Sequence, residues 1–247
     1  MDDFRQRRVD LYGDGVGGVA LIDYMGDDLT PVNAARASLG KVSTEMAERE
    51  QKLANFLIKS GHTSTSEHNV LTLWVKVPLF VARQHMRHRT FSFNEISRRY
   101  TSENPEFYFP TALRRQDSKN RQASLDETFD PLIGFDPFEY PKYLQLTATN
   151  AIKQSTQDAL ELYNKLIAEG VAREQARMIL PQNLYTSYWC TGSLHNWINS
   201  FVAKRDHPDA QWEMRLLAQE VSRHIKELWP QAHANYVAHG KIPTVKP

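Results

Sequence analysis

The chain of 247 residues holds a single cysteine, Cys190. No internal disulfide can form, and no four-cysteine zinc site can be assembled. The fold must therefore rest on burial of apolar surface. Hydrophobic residues make up 41% and charged residues 24%, an ordinary balance for a globular protein. The length suits one domain with a full core, or two small ones. No apolar run approaches the roughly 20 residues that span a bilayer. The opening stretch, Met1 to Asp10, is charged and lacks the apolar centre of a secretion signal. The expectation is a cytoplasmic protein without a membrane partner.

Helical patterns dominate. Val16 to Met25 is apolar enough for a strand. Thr30-Pro31 marks a helix start, with Thr30 as cap and Pro31 in the first turn. A second helix is expected from about Thr44 to Ser60, with Leu53, Phe56 and Leu57 as its apolar stripe and Gly61 as its stop. Val70 to Val77, bounded by Pro78, reads as a strand, and Pro78 to about Arg87 turns helical. Ser92 to Glu106 reads as loop. Residues 111–139 are polar and aperiodic, and read as a surface insertion of the kind that forms flaps. Pro141 to Glu169 is the longest helical pattern, closed by Gly170. A short helix from about Ala172 to Leu180 follows, then a strand from Asn183 to Thr191. Two further helices, Ser193 to Lys204 and Asp209 to Leu228, complete the pattern. The class expected is α+β: a helix-rich single domain, 1–247, with a small mixed or antiparallel sheet.

The formal net charge is +1, so no global field draws the chain onto nucleic acid or an anionic membrane. Any anion-binding function must come from local charge. The segment Arg87-His88-Arg89-Thr90-Phe91-Ser92-Phe93-Asn94-Glu95-Ile96-Ser97-Arg98-Arg99-Tyr100 supplies it, with four arginines and a histidine against one carboxylate. Guanidinium groups make paired hydrogen bonds to phosphate oxygens. Four this close repel one another unless an anion or acid sits among them. A phosphorylated ligand is one reading; a solvated basic loop paired with carboxylates elsewhere is the other. Arg87 and Arg89 flank His88 and point apart, so they can serve two different anions. The alternative function is a nucleic-acid-binding module built on Arg87 to Arg99. It predicts salt-dependent oligonucleotide binding, and the near-zero net charge counts against it.

The same segment resembles the signature of the flavin-dependent thymidylate synthases, R-H-R-x-x-S-x-N-x-x-S-x-R-Y. Arg87, His88, Arg89, Ser92, Asn94, Ser97, Arg99 and Tyr100 occupy every fixed position. Ala34 to Ser38, Gly61 to Ser64 with Glu67-His68, and Arg177 to Thr186 resemble further family blocks, so the likeness runs from about Ala34 to Trp212. The resemblance implies reductive methylation of dUMP to dTMP. FAD would be the cofactor, NADPH its reductant and 5,10-methylenetetrahydrofolate the carbon donor, in a homotetramer with shared active sites. It implies dUMP binding by Gln84, Arg87, Glu95, Ser97, Arg98, Arg99, Arg177 and Arg205. Flavin contacts would come from Ser64, Arg87, His88, Arg89, Glu95, Ser193, His195 and Ser200. Arg205 would be the catalytic residue, placed against the uracil ring. Two departures stand out. Ser200 stands where many members have Asn or His, and the block from Ser193 to Phe201 aligns only with a one-residue insertion.

The residues bear on chemistry directly. Carbon 5 of uracil is a poor nucleophile, and a cysteine that adds to the ring is one way to activate it. Cys190, between Trp189 and Thr191 in an apolar stretch, reads instead as a buried structural residue. Arg205, a fixed cation, can stabilise the negative charge of an enolate-like ring; the bland alternative is a salt bridge with Asp206 or Asp209. Ser97 reads as a binding residue because no base is assigned to it. Gly13-Asp14-Gly15-Val16-Gly17-Gly18 satisfies G-x-G-x-x-G, but a charged segment precedes it and an apparent strand follows, so a plain turn is expected. His85 and His88 lie near His62 and His68 in sequence, but no cysteine or paired carboxylate completes a set of ligands, and no metal is assigned.

Overall fold

The computed structural model describes residues 3–100, 105–134 and 145–242. In chain order these form β1 (Val9–Asp10), β2 (Gly18–Met25), α1 (Thr30–Arg36), α2 (Glu48–Lys59), β3 (Val70–Pro78), α3 (Leu79–His85), β4 (Ser92–Glu95), β5 (Arg114–Gln116), β6 (Ser124–Thr128), β7 (Leu132–Ile133), β8 (Leu146–Thr147), α4 (Ala148–Ala168), α5 (Arg173–Ala176), β9 (Tyr185–Ser193), a π-helix (Asn196–Val202), α6 (Ala203–Arg205), α7 (Trp212–Leu228) and α8 (Pro230–Ala238). The class is α+β, as expected. Contacts gather into two compact units. One comprises Met1–Lys76, Val81–Glu95 and Ser187–Pro247; the other comprises Val77–Phe80 and Ile96–Thr186. Among the described residues no helix is long and apolar enough to cross a membrane.

The main sheet has the order β1-β2-β3-β9-β4. Pairings β1/β2, β2/β3 and β4/β9 are antiparallel. The G-x-G-x-x-G run is the β1–β2 turn. The Asp10 carboxylate accepts from the N–H groups of Tyr12, Gly13 and Gly15, while Gly13 and Gly15 take φ of 71° and 69°, which glycine adopts without steric cost. A strand follows it, not a helix, so the dinucleotide reading is excluded on topology. In this unit the large side chains Trp197, Trp229, Tyr188, Phe201, Leu71 and Leu73 are buried. The other unit has its own core of Tyr163, Ala176, Leu180 and Leu184.

Several expected boundaries shift, each for a local reason. Thr30 is the first helical residue of α1 and not its cap; the Asp27 carboxylate accepts from the Leu29 and Thr30 N–H groups instead. Helix α2 begins at Glu48, four residues later than Thr44, because Ser43 is tied to Asn33 through both its N–H and its carbonyl. Gly61, at φ 71°, ends α2 as expected. Ser92–Glu95 is strand and not loop, since it pairs with Tyr188 to Thr191 of β9. Helix α4 starts at Ala148, capped by Thr147, and β8 just before it pairs with β7. The start expected at Pro141 lies outside the described residues. Within 111–134, the expected aperiodic insertion contains the β5–β6 ribbon, where Arg115 pairs with Glu127 at 2.9 Å; residues 135–139 lie outside the described residues. The helix expected over Ser193 to Lys204 is a π-helix followed by α6. Helix α8 was not foreseen: Pro230 sits in its first turn.

Candidate active site

Chain direction around the arginines is set by His85. The imidazole is fully buried among aromatic rings, with centroids 4.5 Å from Phe201, 5.3 Å from Phe93 and 5.9 Å from Trp197. Nδ1 lies 2.8 Å from the Tyr188 hydroxyl and Nε2 lies 3.9 Å from Cys190 Sγ. Burial first, then the fields of His88 and Arg205, lower its pKa to about 3. A neutral histidine locked in this way is a core anchor with both ring nitrogens committed. Phe91 braces the other side of the turn. Its ring lies so close to Gly192 of β9 that a Cβ there would meet it at 2.4 Å. Between these two anchors Arg87 and Arg89 emerge exposed, and His88 is half-buried.

His88 does not face solvent alone. Arg205 Nε donates to His88 Nε2 at 3.0 Å, across 117 residues of sequence. Burial lowers the His88 pKa to about 4, with help from Arg205 and Lys204; the Ser200 carbonyl works against them. His88 is thus a neutral acceptor at ordinary pH. Arg205 is pulled below the usual guanidinium range by burial and by Arg87, a crowding of cations that an anion among them would relieve. The alternative salt-bridge reading of Arg205 is not what the structure shows. Asp206 accepts from Gln219 at 3.0 Å, and Asp209 sits 3.8 Å from His207.

Gln84, on the last turn of α3, donates through Nε2 to Gln211 Oε1. Gln211 in turn donates to Glu213 at 3.0 Å. Neither partner was singled out by sequence, because Gln211 stands 127 residues away from Gln84 and Glu213 lies beyond it.

The later flavin candidates cluster by the π-helix. Ser193 Oγ accepts from the Asn196 N–H at 3.3 Å. His195 Nδ1 lies 3.0 Å from Asn199 Nδ2. Ser200 is half-buried. Asn199, Tyr236, Leu57, Ile58, His62 and Thr63 line a small recess of about 70 Å³. Ser64 is exposed next to Thr63, on the 3-10 turn Thr63–Glu67. Asn199 and Tyr236 are functional candidates that sequence reasoning missed. The signal for Asn199 was the one-residue insertion: a π-turn closes hydrogen bonds to the fifth residue back, so it absorbs an extra residue without ending the helix.

In the second unit, Arg99 Nη2 lies 3.4 Å from Glu174 Oε2 of α5, and Arg177 Nε donates to the Glu174 carbonyl at 3.4 Å. Two candidate ligands distant in sequence thus meet at one residue. Ser97 Oγ accepts from the Arg99 N–H at 3.3 Å, a turn-forming bond. Arg98 is half-buried and Arg177 exposed. Glu95, exposed at the end of β4, stands opposite Tyr188 in the first unit.

Residues 20–231 match the protein family described as thymidylate synthase complementing protein. The chain is 40% identical over 223 residues to the flavin-dependent thymidylate synthase of Thermus thermophilus, covering 90% of this chain and 76% of that one. It is 36% identical over 216 residues to the flavin-dependent thymidylate synthase of Thermosipho africanus, with coverages of 87% and 88%. Among solved structures it resembles the UMP/dUMP methylase PolB of Streptomyces cacaoi bound with 5-Br dUMP. The TM-score there is 0.74 at 28% identity, over 92% of this chain and 96% of that one.

Proposed function

Because the chain belongs to the flavin-dependent thymidylate synthase family, we propose that it methylates dUMP to dTMP in the cytoplasm. It would use bound FAD, NADPH as reductant and 5,10-methylenetetrahydrofolate as carbon donor, without a cysteine nucleophile. The observation that carries this reading is the bond between Arg205 and His88, the histidine of the arginine-rich signature. It puts a partly desolvated cation beside an exposed cationic turn, an arrangement suited to a phosphorylated ligand and a ring that gains negative charge.

The residues present fit a flavin nucleotide. Exposed Arg87 and Arg89 offer guanidinium donors, and the neutral His88 between them adds a polar edge without further positive charge. Ser64, Glu95, Ser193, His195 and Ser200 complete the proposed flavin set. FAD, when bound, supplies the hydride chemistry that no side chain can. The chain's own part is to bind and polarise. Gln84, Arg87, Glu95 and Arg205, with Ser97, Arg98, Arg99 and Arg177, would hold dUMP. Arg205 would stabilise charge on the uracil ring while the Nε bond to His88 fixes its guanidinium plane. The 1–247 chain would act as one such enzyme unit within a homotetramer with shared active sites.

Purified protein should be yellow, and the flavin band should bleach anaerobically on adding NADPH. The same preparation should scatter light as four copies of a 28.5 kDa chain and turn over dUMP with the folate present. Colourless protein that flavin cannot reconstitute would overturn the reading. Assaying UMP beside dUMP tests whether the sugar matters, since the related PolB is described as acting on both.

A further inference from the structure

His195 and Asn199 stand about one turn apart where the chain enters the π-helix (Asn196–Val202). Side chains on a helix lean back towards its start, so Asn199 reaches His195. Its Nδ2 donates to the His195 carbonyl at 3.2 Å. That bond fixes the orientation of the amide, since the flipped amide would set oxygen against oxygen. The same Nδ2 lies 3.0 Å from His195 Nδ1. An amide nitrogen donates and does not accept. A ring N–H at that distance would therefore set donor against donor, whichever amide hydrogen points there. Nδ1 keeps its lone pair, and the neutral imidazole carries its proton on Nε2. His195 is half-buried, and among the described residues Nε2 meets no protein partner.

We propose that Asn199 is a positioning residue that commits His195 to present an Nε2–H donor to the flavin. The atom it meets is then an acceptor (a ring carbonyl, a ring nitrogen or a phosphate oxygen) and not an N–H or amino group. This rests on the reading of His195 as a flavin ligand. A tautomer set in advance removes the cost of selecting it on binding. His62, Tyr236 and Lys241 line the same recess as Asn199, and are the other titratable groups beside the amide.

The test uses the full-length protein, stripped of flavin and titrated with FAD or riboflavin between pH 6 and pH 9, with flavin fluorescence as the readout. Asn199→Asp keeps the size of the side chain but replaces the donor with a carboxylate, which draws a proton onto Nδ1. At pH 6 the ring is then an imidazolium and still offers Nε2–H. At pH 9 it is neutral with its proton held on Nδ1, and Nε2 turns a lone pair towards the flavin. Relative to the parent, the variant should lose FAD affinity about tenfold or more across that range. His62, Tyr236 and Lys241 are common to both proteins, so the difference between the two profiles isolates His195. The same loss with riboflavin puts the acceptor on the ring system, and a loss confined to FAD puts it on the phosphates. A loss equal at every pH, or no loss, means that the amide only caps a helical carbonyl, and overturns the proposal. Nitrogen-15 imidazole spectra of the parent, assigned through the signals lost in His195→Gln, give a check that does not need Asn199→Asp to fold. The proton should be found on Nε2; a proton on Nδ1 overturns the proposal. Parent protein that binds neither flavin sinks the proposed function; flavin binding with parallel pH profiles sinks only the role of Asn199.

Discussion

Cys190 Sγ is buried 3.9 Å from His85 Nε2, and burial pushes its thiol well above the ordinary range. A thiolate, the form that attacks a ring, would have to arise in apolar surroundings. Arg205 is the contrary case: a half-buried cation held through its Nε by His88. Cys190→Ala should therefore keep dUMP methylation within a few-fold of the parent. Arg205→Ala should lower kcat by roughly two or three orders of magnitude, as losing one preorganised charge partner does. Steady-state assays of both variants check this, and inactive but folded Cys190→Ala would reverse the roles. At this scale much was legible beforehand. The apolar stretch around Cys190 announced its burial, and the arginine-rich signature announced its donors. The His88 partner of Arg205 was not legible, because nothing local to either residue names the other.

At the scale of elements, the proposed flavin-binding arginines sit on a turn clamped between α3 and β4. The clamp works through Phe91, which lies on the bare backbone of Gly192 with no room for a Cβ. Gly192→Ala must displace the ring. Overpacking of this kind costs about 1–3 kcal/mol, and the moved ring would carry Arg89 and His88 with it. The expected outcome is a lower urea midpoint together with reduced flavin content, both partly restored by a second change, Phe91→Leu. Unchanged stability and flavin content in Gly192→Ala would show that the turn is not held this way. Strand β4 itself was unreadable in the sequence. Ser92, Asn94 and Glu95 are polar, with Phe93 between them, and this sheet-edge segment owes its extended state to the partner strand β9, since intrinsic preference at such positions is weak. The π-helix left a trace as a one-residue insertion, but its geometry did not.

For the whole molecule, buried neutral histidines tie stability to pH. His85 has a folded pKa of about 3, against about 6.5 in an unfolded chain. The folded pKa is depressed, so its stabilising contribution is complete above about 6.5 and is lost as pH falls towards 3, where the unfolded chain binds the proton first. His88, lowered to about 4, acts in the same direction over a narrower window. Urea midpoints should decline steadily from pH 7 to pH 4, and His85→Phe should flatten that decline while costing stability at pH 7 through the orphaned Tyr188 hydroxyl. Parallel pH profiles for parent and variant would refute the role given to His85. The sequence by itself determined the α+β class and the helices with a clear apolar stripe. It also determined the donor chemistry of Arg87 to Tyr100, because periodicity and a contiguous motif are local properties of a chain. Only the tertiary structure decided which distant groups meet: Arg205 with His88, Gln84 with Gln211, Arg99 with Glu174. Such meetings depend on how packed elements close in space, and a hydrogen bond spanning more than a hundred residues leaves no mark on the sequence at either end.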